Sequence, residues 1–233
     1  MTWYPVTGCT KVSPGCANCY AERTARRLQA MGAASYTEGF QVRAHEDVLT
    51  LPCSWRTPRK VFVSATADLF HKDVPLSFIR RVFDVMARCP QHEFQILTKR
   101  AMRLREVAPQ LHWAPNICIG VSVEDQRRAY RADALREVPA HSRFLAVEPL
   151  LGPIDELPLA GIDWVTVSGE YGPGARVMKL EWIARILSQC EARGVPFYFE
   201  QWGGFQQHRA ARAACRRLPK LAMRPERRPG STQ

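Results

Sequence analysis

The chain has 233 residues, 46% of them hydrophobic, and a formal net charge of +11, enough apolar material for the single core of an α/β barrel. No run reaches the roughly 18 apolar residues of a membrane span and no basic stretch leads into an apolar signal core, so a membrane partner is excluded and a soluble, cytoplasmic protein is expected. Cys53, Cys89, Cys118, Cys190 and Cys215 are scattered without a repeated spacing, which excludes a secreted disulfide framework and points to a reducing compartment.

In chain order, the first informative segment is Gly8-Cys-Thr-Lys-Val-Ser-Pro-Gly-Cys-Ala-Asn-Cys-Tyr20. Cys9, Cys16 and Cys19 form a C-x6-C-x2-C group. Three thiolates are one short of a closed tetrahedral zinc site but suit a [4Fe-4S] cluster whose fourth iron is open to another ligand. Gly8, Pro14 and Gly15 let the loop fold tightly enough to turn the sulfurs inward. The competing reading is zinc with His45, Cys53 or His71 as fourth ligand, although no second C-x2-C or H-x3-H pair exists. A helix is expected over 19–31. Residues 32–59, with Gly32, Pro52 and Pro58, break regular structure and read as a lid or edge decoration.

From Lys60 to Trp202 one unit repeats about every 20 to 33 residues: a β-branched or aromatic run, a polar residue, then an amphipathic stretch. The runs are 61–63, 93–97, 117–121, 143–147, 163–167 and 195–199, with helices expected over 76–88, 100–107, 125–137 and 179–193. Leu76, Ile79, Val82, Phe83 and Met86 make one apolar face at helical spacing. Such βα units build a parallel sheet. Polar residues follow all six runs: Asp68, Thr98 with Lys99 and Arg100, Ser122 and Glu124, Glu148, Ser168 with Gly169 and Glu170, and Glu200 with Gln201 and Trp202. Six polar strand ends favour a parallel (βα) barrel or partial barrel, whose carboxyl-terminal mouth is the site of chemistry, over an open doubly wound sheet with one switch point.

Several of these residues have a plainer reading as helix caps or internal ion pairs. Lys99 and Arg100 either hold a substrate phosphate or carboxylate or pair with Glu124, Glu148 or Asp68. Glu170 either accepts hydrogen bonds from a ribose or ammonium group or caps a Gly-rich turn containing Gly172 and Gly174, with Arg176 beyond. Trp202 either stacks on a base or packs in the core, and His71 is either a proton donor or structural. Residues 206–233 carry eight Lys/Arg against one Glu, so most of the net charge sits in a basic C-terminal tail, set apart from a single domain over 1–205.

A cysteine triad ahead of repeated βα units resembles the radical S-adenosylmethionine superfamily. Its usual spacing is C-x3-C-x2-C with an aromatic before the last cysteine; here the first gap is six residues and Tyr20 follows Cys19. Val6–Ala21, Asp68-Leu-Phe-His71, Phe94–Arg100, Gly120–Glu124, Arg143–Pro153 and Gln201-Trp-Gly203 together resemble a phage-encoded, radical-SAM-like family of unassigned function. Departures from its pattern are Ser64-Ala-Thr-Ala67, Ser168-Gly-Glu-Tyr171 and Glu200.

The resemblance implies a barrel of the radical SAM type. It implies a [4Fe-4S] cluster on Cys9, Cys16 and Cys19, with S-adenosylmethionine held by Ser122, Glu148, Ser168, Gly169 and Glu170. Substrate contacts are expected from Asp68, Lys99, Arg100, Gln201 and Trp202. The expected activity is reductive cleavage of S-adenosylmethionine, fed by an external electron donor and directed at an unidentified substrate, a nucleic acid or nucleotide being the leading class. The alternative is a zinc- or iron-sulfur-containing nucleic-acid-binding protein without catalysis.

Overall fold

Successive strand residues point to opposite sides of a sheet, and this alternation divides the molecule into a helix-covered side and a concave side. A computed structural model describes residues 1–204. The basic segment 206–233 lies outside the described residues. In chain order the elements are β1 (Thr2–Trp3), β2 (Val6–Thr7), α1 (Tyr20–Ala30), β3 (Arg43–Ala44), β4 (Lys60–Val63), α2 (Leu76–Arg88), β5 (Glu93–Thr98), α3 (Ala101–Val107), β6 (Ile117–Ser122), α4 (Tyr130–Arg136), β7 (Ser142–Val147), β8 (Trp164–Ser168), α5 (Leu180–Arg193) and β9 (Phe197–Gln201), with short 3-10 turns between some of them.

Seven strands form one sheet in the order β1-β4-β5-β6-β7-β8-β9, every neighbouring pair parallel. The sheet curls into a half-barrel with β1 and β9 as its edges. Its outer face carries Val61, Val63, Phe94, Ile96, Ile119, Val121, Leu145, Val147, Val165 and Val167, all 1% exposed or less. These share one core with Ile79, Val82 and Phe83 of α2, Leu104 of α3, Leu135 of α4 and Ile183 and Ile186 of α5. Burying each such side chain stabilises the fold by about 1.5–3 kcal/mol before entropy is charged against it. Among the described residues no helix is long and apolar enough to cross a membrane.

Three features depart from the sequence reading. Strand β1 was not expected, because two residues carry no period; it is fixed by backbone bonds from Phe62 N to Met1 O (2.8 Å) and Ser64 N to Trp3 O (2.7 Å). The helix expected over 125–137 is divided into a 3-10 turn at Gln126–Arg128 and α4. The Gln126 side chain explains the break: its Oε1 accepts from the Asp155 and Glu156 amides and its Nε2 donates to Glu156 O, pinning the start of the stretch to the loop after β7. Residues 32–59, expected without regular structure, supply β3, which pairs antiparallel with β2 and braces the loop that follows it.

Candidate functional site

The polar strand ends open into a cavity of about 820 Å³ on the concave side of the half-barrel. Cys9, Cys16 and Cys19 line it, together with Asp68, Lys99, Ser122, Glu148, Gly169, Glu170 and Gln201. Ser168, Arg100 and Trp202 stand outside the lining: Ser168 is fully buried, Arg100 lies behind the cysteine loop, and Trp202 packs edge-on to Phe199 at 5.1 Å.

The cysteine loop is shaped by its neighbours. Gly8 has φ 76°, and a Cβ there would lie 1.9 Å from Gln41 O, so only glycine lets the β2 exit pass the 32–59 segment. Cys9 N then donates to Phe40 O at 3.2 Å. Pro14–Cys16 forms a 3-10 turn, and Ser13 Oγ donates to Glu124 Oε1 at 2.5 Å. Thr10 is gripped twice: its Oγ1 lies 2.7 Å from His71 Nε2, and Arg100 Nη2 donates to its carbonyl and hydroxyl oxygens, both at 3.0 Å. His71, fully buried, accepts the Asp73 amide on Nδ1, so Nε2 carries the proton and the histidine is structural. Asp68 accepts Thr98 Oγ1 (2.7 Å) and the amides of Phe70 (3.0 Å) and Lys99 (3.1 Å), which ties the end of β4 to the end of β5.

Among the described residues Cys9 Sγ contacts Thr10 O (3.4 Å) and Arg100 Nη2 (3.8 Å), and Cys16 Sγ contacts Ser13 Oγ (3.8 Å). Burial, then the Asp68 carboxylate, pushes the Cys9 thiol up to about 11, against the pull of Arg100. Among the described residues no three His, Cys, Asp or Glu side chains gather closely enough to hold a metal ion. The three residues named as a fourth zinc ligand each have another partner. His45 is bonded to Thr7 Oγ1, His71 to Thr10, and Cys53 lies against Cys89. Cys9, Cys16 and Cys19 line one cavity, and thiolates are the donor type an iron–sulfur cluster takes.

Across the cavity, Glu170 is held by Arg176 (Nε to Oε2 2.9 Å, Nη2 to Oε1 2.5 Å), by the Arg176 amide (2.9 Å) and by Asn18 Nδ2 (3.0 Å). Burial alone would raise its pKa, but the bonds from Arg176 and Asn18 outweigh it and take it down to about 2. Asn18 and Arg176 also reach Gly174 O and Pro14 O, so this acid and the cysteine loop are built as one piece. Gly169 is required by a close approach: a Cβ there would sit 2.0 Å from Trp202 O. Lys99 Nζ donates to Ser122 Oγ (3.1 Å) and Glu148 O (3.4 Å) and lies 3.8 Å from Glu124. With Arg100 Nε 3.8 Å from Asp68, each of these two cations has a carboxylate within 4 Å.

The sequence reading missed the cavity floor. Phe144 and Trp164 stack there with centroids 4.9 Å apart and planes 5° from parallel, flanked by Phe62, Gln95, Leu97, Ala146 and Thr166, beside the expected strand-end residue Glu200. Gly120 makes room, since a Cβ on it would meet the Phe144 ring at 2.4 Å. Glu200 is the extra residue where β9 slips against β8, Phe199 facing Val167 and Gln201 facing Ser168; such bulges re-aim side chains. Burial, then the charge of Glu200, raises the Glu148 pKa against the pull of Lys99. Ser64, 3% exposed with φ 56°, lines the same cavity, and its Oγ has no hydrogen-bond partner among the described residues. Alternation along the strands was the available signal, because these residues occupy every second position opposite the helix-covered face.

No curated protein and no solved structure matches the chain. Residues 1–224 match the model of the family described as Protein of unknown function (DUF5131), and the chain belongs to that family.

Proposed function

We propose that this protein is a radical S-adenosylmethionine enzyme with a [4Fe-4S] cluster on Cys9, Cys16 and Cys19. One observation carries the reading: three thiols on one loop line the mouth of a parallel half-barrel, in the same cavity as Ser122, Glu148, Gly169 and Glu170. Such a cluster supplies the electron for reductive cleavage of S-adenosylmethionine and hence the radical chemistry. The chain's own residues do the rest. Glu170, kept ionised by Arg176 and Asn18, accepts hydrogen bonds from the ammonium or ribose of the cofactor. Ser122 and Glu148 present acceptors on the adjoining strand ends, and Gly169 lets a ligand approach the backbone. The walls exclude water from the reacting carbon.

The floor favours a planar ring as substrate, laid against Phe144 and Trp164 with its N–H groups toward Glu148 and Glu200. A nucleobase, free or within a nucleotide or nucleic acid, has that chemistry. The lining acids Asp68, Glu148, Glu170 and Glu200 exceed the bases Arg23, Arg27 and Lys99, so phosphates are expected to stay outside the cavity while the base enters.

The test is anaerobic incubation of reduced, cluster-loaded protein with S-adenosylmethionine and, in turn, single-stranded DNA, duplex DNA, RNA and free nucleotides. The expected result is 5′-deoxyadenosine, stimulated by at least one of these. Nucleic-acid binding with no cleavage under any condition establishes the non-catalytic alternative instead. Stimulation by a peptide fraction alone overturns the substrate class and leaves the enzyme reading intact.

A further inference from the structure

Two cysteines that the cavity does not use meet near the start of β4. Cys53 lies in the 3-10 turn Leu51–Ser54 and is exposed; Cys89 caps the end of α2 and is buried. Their sulfurs are 2.9 Å apart, inside the van der Waals contact of two sulfurs and about 1 Å from the bonded distance of a disulfide. We propose that Cys53 and Cys89 are a reversible oxidation site, whose disulfide fastens the segment bracing the cysteine loop to helix α2.

The backbone on both sides is positioned independently of the sulfurs. Cys53 N donates to Thr50 O at 3.0 Å and Cys89 N to Met86 O at 3.1 Å. Asn116 Nδ2 reaches the carbonyls of Met86, Cys89 and His92, and His92 Nε2 lies 3.1 Å from Pro52 O, joining the two turns beside the thiols. Upstream of Cys53, the same segment supplies β3, paired with β2, and Phe40 O, which accepts the Cys9 amide. A covalent tie at Cys53 therefore anchors the structure on which the cysteine loop rests.

The oxidant is a low-molecular-weight disulfide such as oxidised glutathione. The exposed Cys53 thiol loses its proton and attacks one glutathione sulfur, forming a mixed disulfide and releasing the other as its thiol. Cys89 then attacks the Cys53 sulfur, passing its proton to the departing second glutathione. Two protein thiols become one disulfide, and one oxidised glutathione becomes two reduced. Burial, then the hydrogen bond with Cys53, pushes the Cys89 thiol up to about 12, so Cys53 is the first attacker and Cys89 the resolving thiol.

The test is independent of the iron–sulfur reading: full-length protein is treated with oxidised glutathione, free thiols are alkylated, and the digest is mapped without reduction. Tryptic peptides 44–56 and 89–99 each contain one cysteine. They are expected to appear linked, with a rise of about 5–10 °C in Tm, both reversed by dithiothreitol and both absent in Cys53→Ala. In Cys89→Ala, Cys53 is expected to retain one glutathione. Separate modification of both cysteines with no linked peptide, or a linked peptide with unchanged Tm, overturns the proposal; because Cys53 is exposed, its alanine variant keeps the fold.

Discussion

Glu170 shows how a single residue serves both stability and the site. Its side chain is 4% exposed against 39% for Arg176, so the pair gains more than a surface ion pair and less than a sealed one. Glu170→Gln is expected to cost about 1–2 kcal/mol, read from urea midpoints at neutral pH. A carboxylate whose folded pKa is depressed contributes stability that is present above its unfolded value of 4.5 and lost as pH falls toward about 2. The difference between wild type and Glu170→Gln should therefore shrink below pH 4.5. A constant difference from pH 6 to 3 contradicts this. His45, 6% exposed and 2.7 Å from Thr7 Oγ1, has the opposite charge type. Burial, then Arg43, lowers its pKa from 6.5, so the folded state resists its protonation and stability falls as pH drops below about 6.5. In His45→Gln, the urea midpoint should change less between pH 7 and 5.5 than in wild type; an identical pH slope rules this out.

At the scale of elements, the packing of β6, β7 and β8 on their concave side depends on one absent side chain. Gly120 lies beneath Phe144, which is stacked on Trp164. Gly120→Ala is expected to push the ring out of the stack, with a cost of about 1–3 kcal/mol and a changed near-ultraviolet circular dichroism spectrum. An unchanged spectrum at wild-type stability contradicts the stacked floor. Gly169→Ala meets backbone rather than a ring. It cannot be relieved by a rotamer change, so a larger loss is expected, visible as a lower Tm with cofactor absent.

Element by element, the strands were legible where hydrophobic period and length agreed, as in β5, and α2 was legible in full because its apolar residues recur at helical spacing. The starts of β8 and β9 fall later than expected. Asp163 meets Arg143 through its own amide and through its carboxylate, and Pro196 has no N–H to give. Neither the division of the 125–137 stretch nor the slip between β8 and β9 was legible, because both depend on partners remote in the chain.

For the whole molecule, repeated βα units made a parallel half-barrel legible, and the polar strand ends marked its mouth. The local spacing of Cys9, Cys16 and Cys19 located the loop but not its support by Thr10, His71, Arg100 and Glu124, which sequence separation concealed. The central claim rests on that loop, and the most direct measurement is iron and acid-labile sulfide content after anaerobic reconstitution of the full chain. Wild type is expected to hold about four of each per chain, with the content retained in Cys53→Ala and lost when Cys9, Cys16 and Cys19 are all changed to alanine. Stoichiometric zinc without sulfide in the wild type, or iron and sulfide undiminished in the triple variant, contradicts the account.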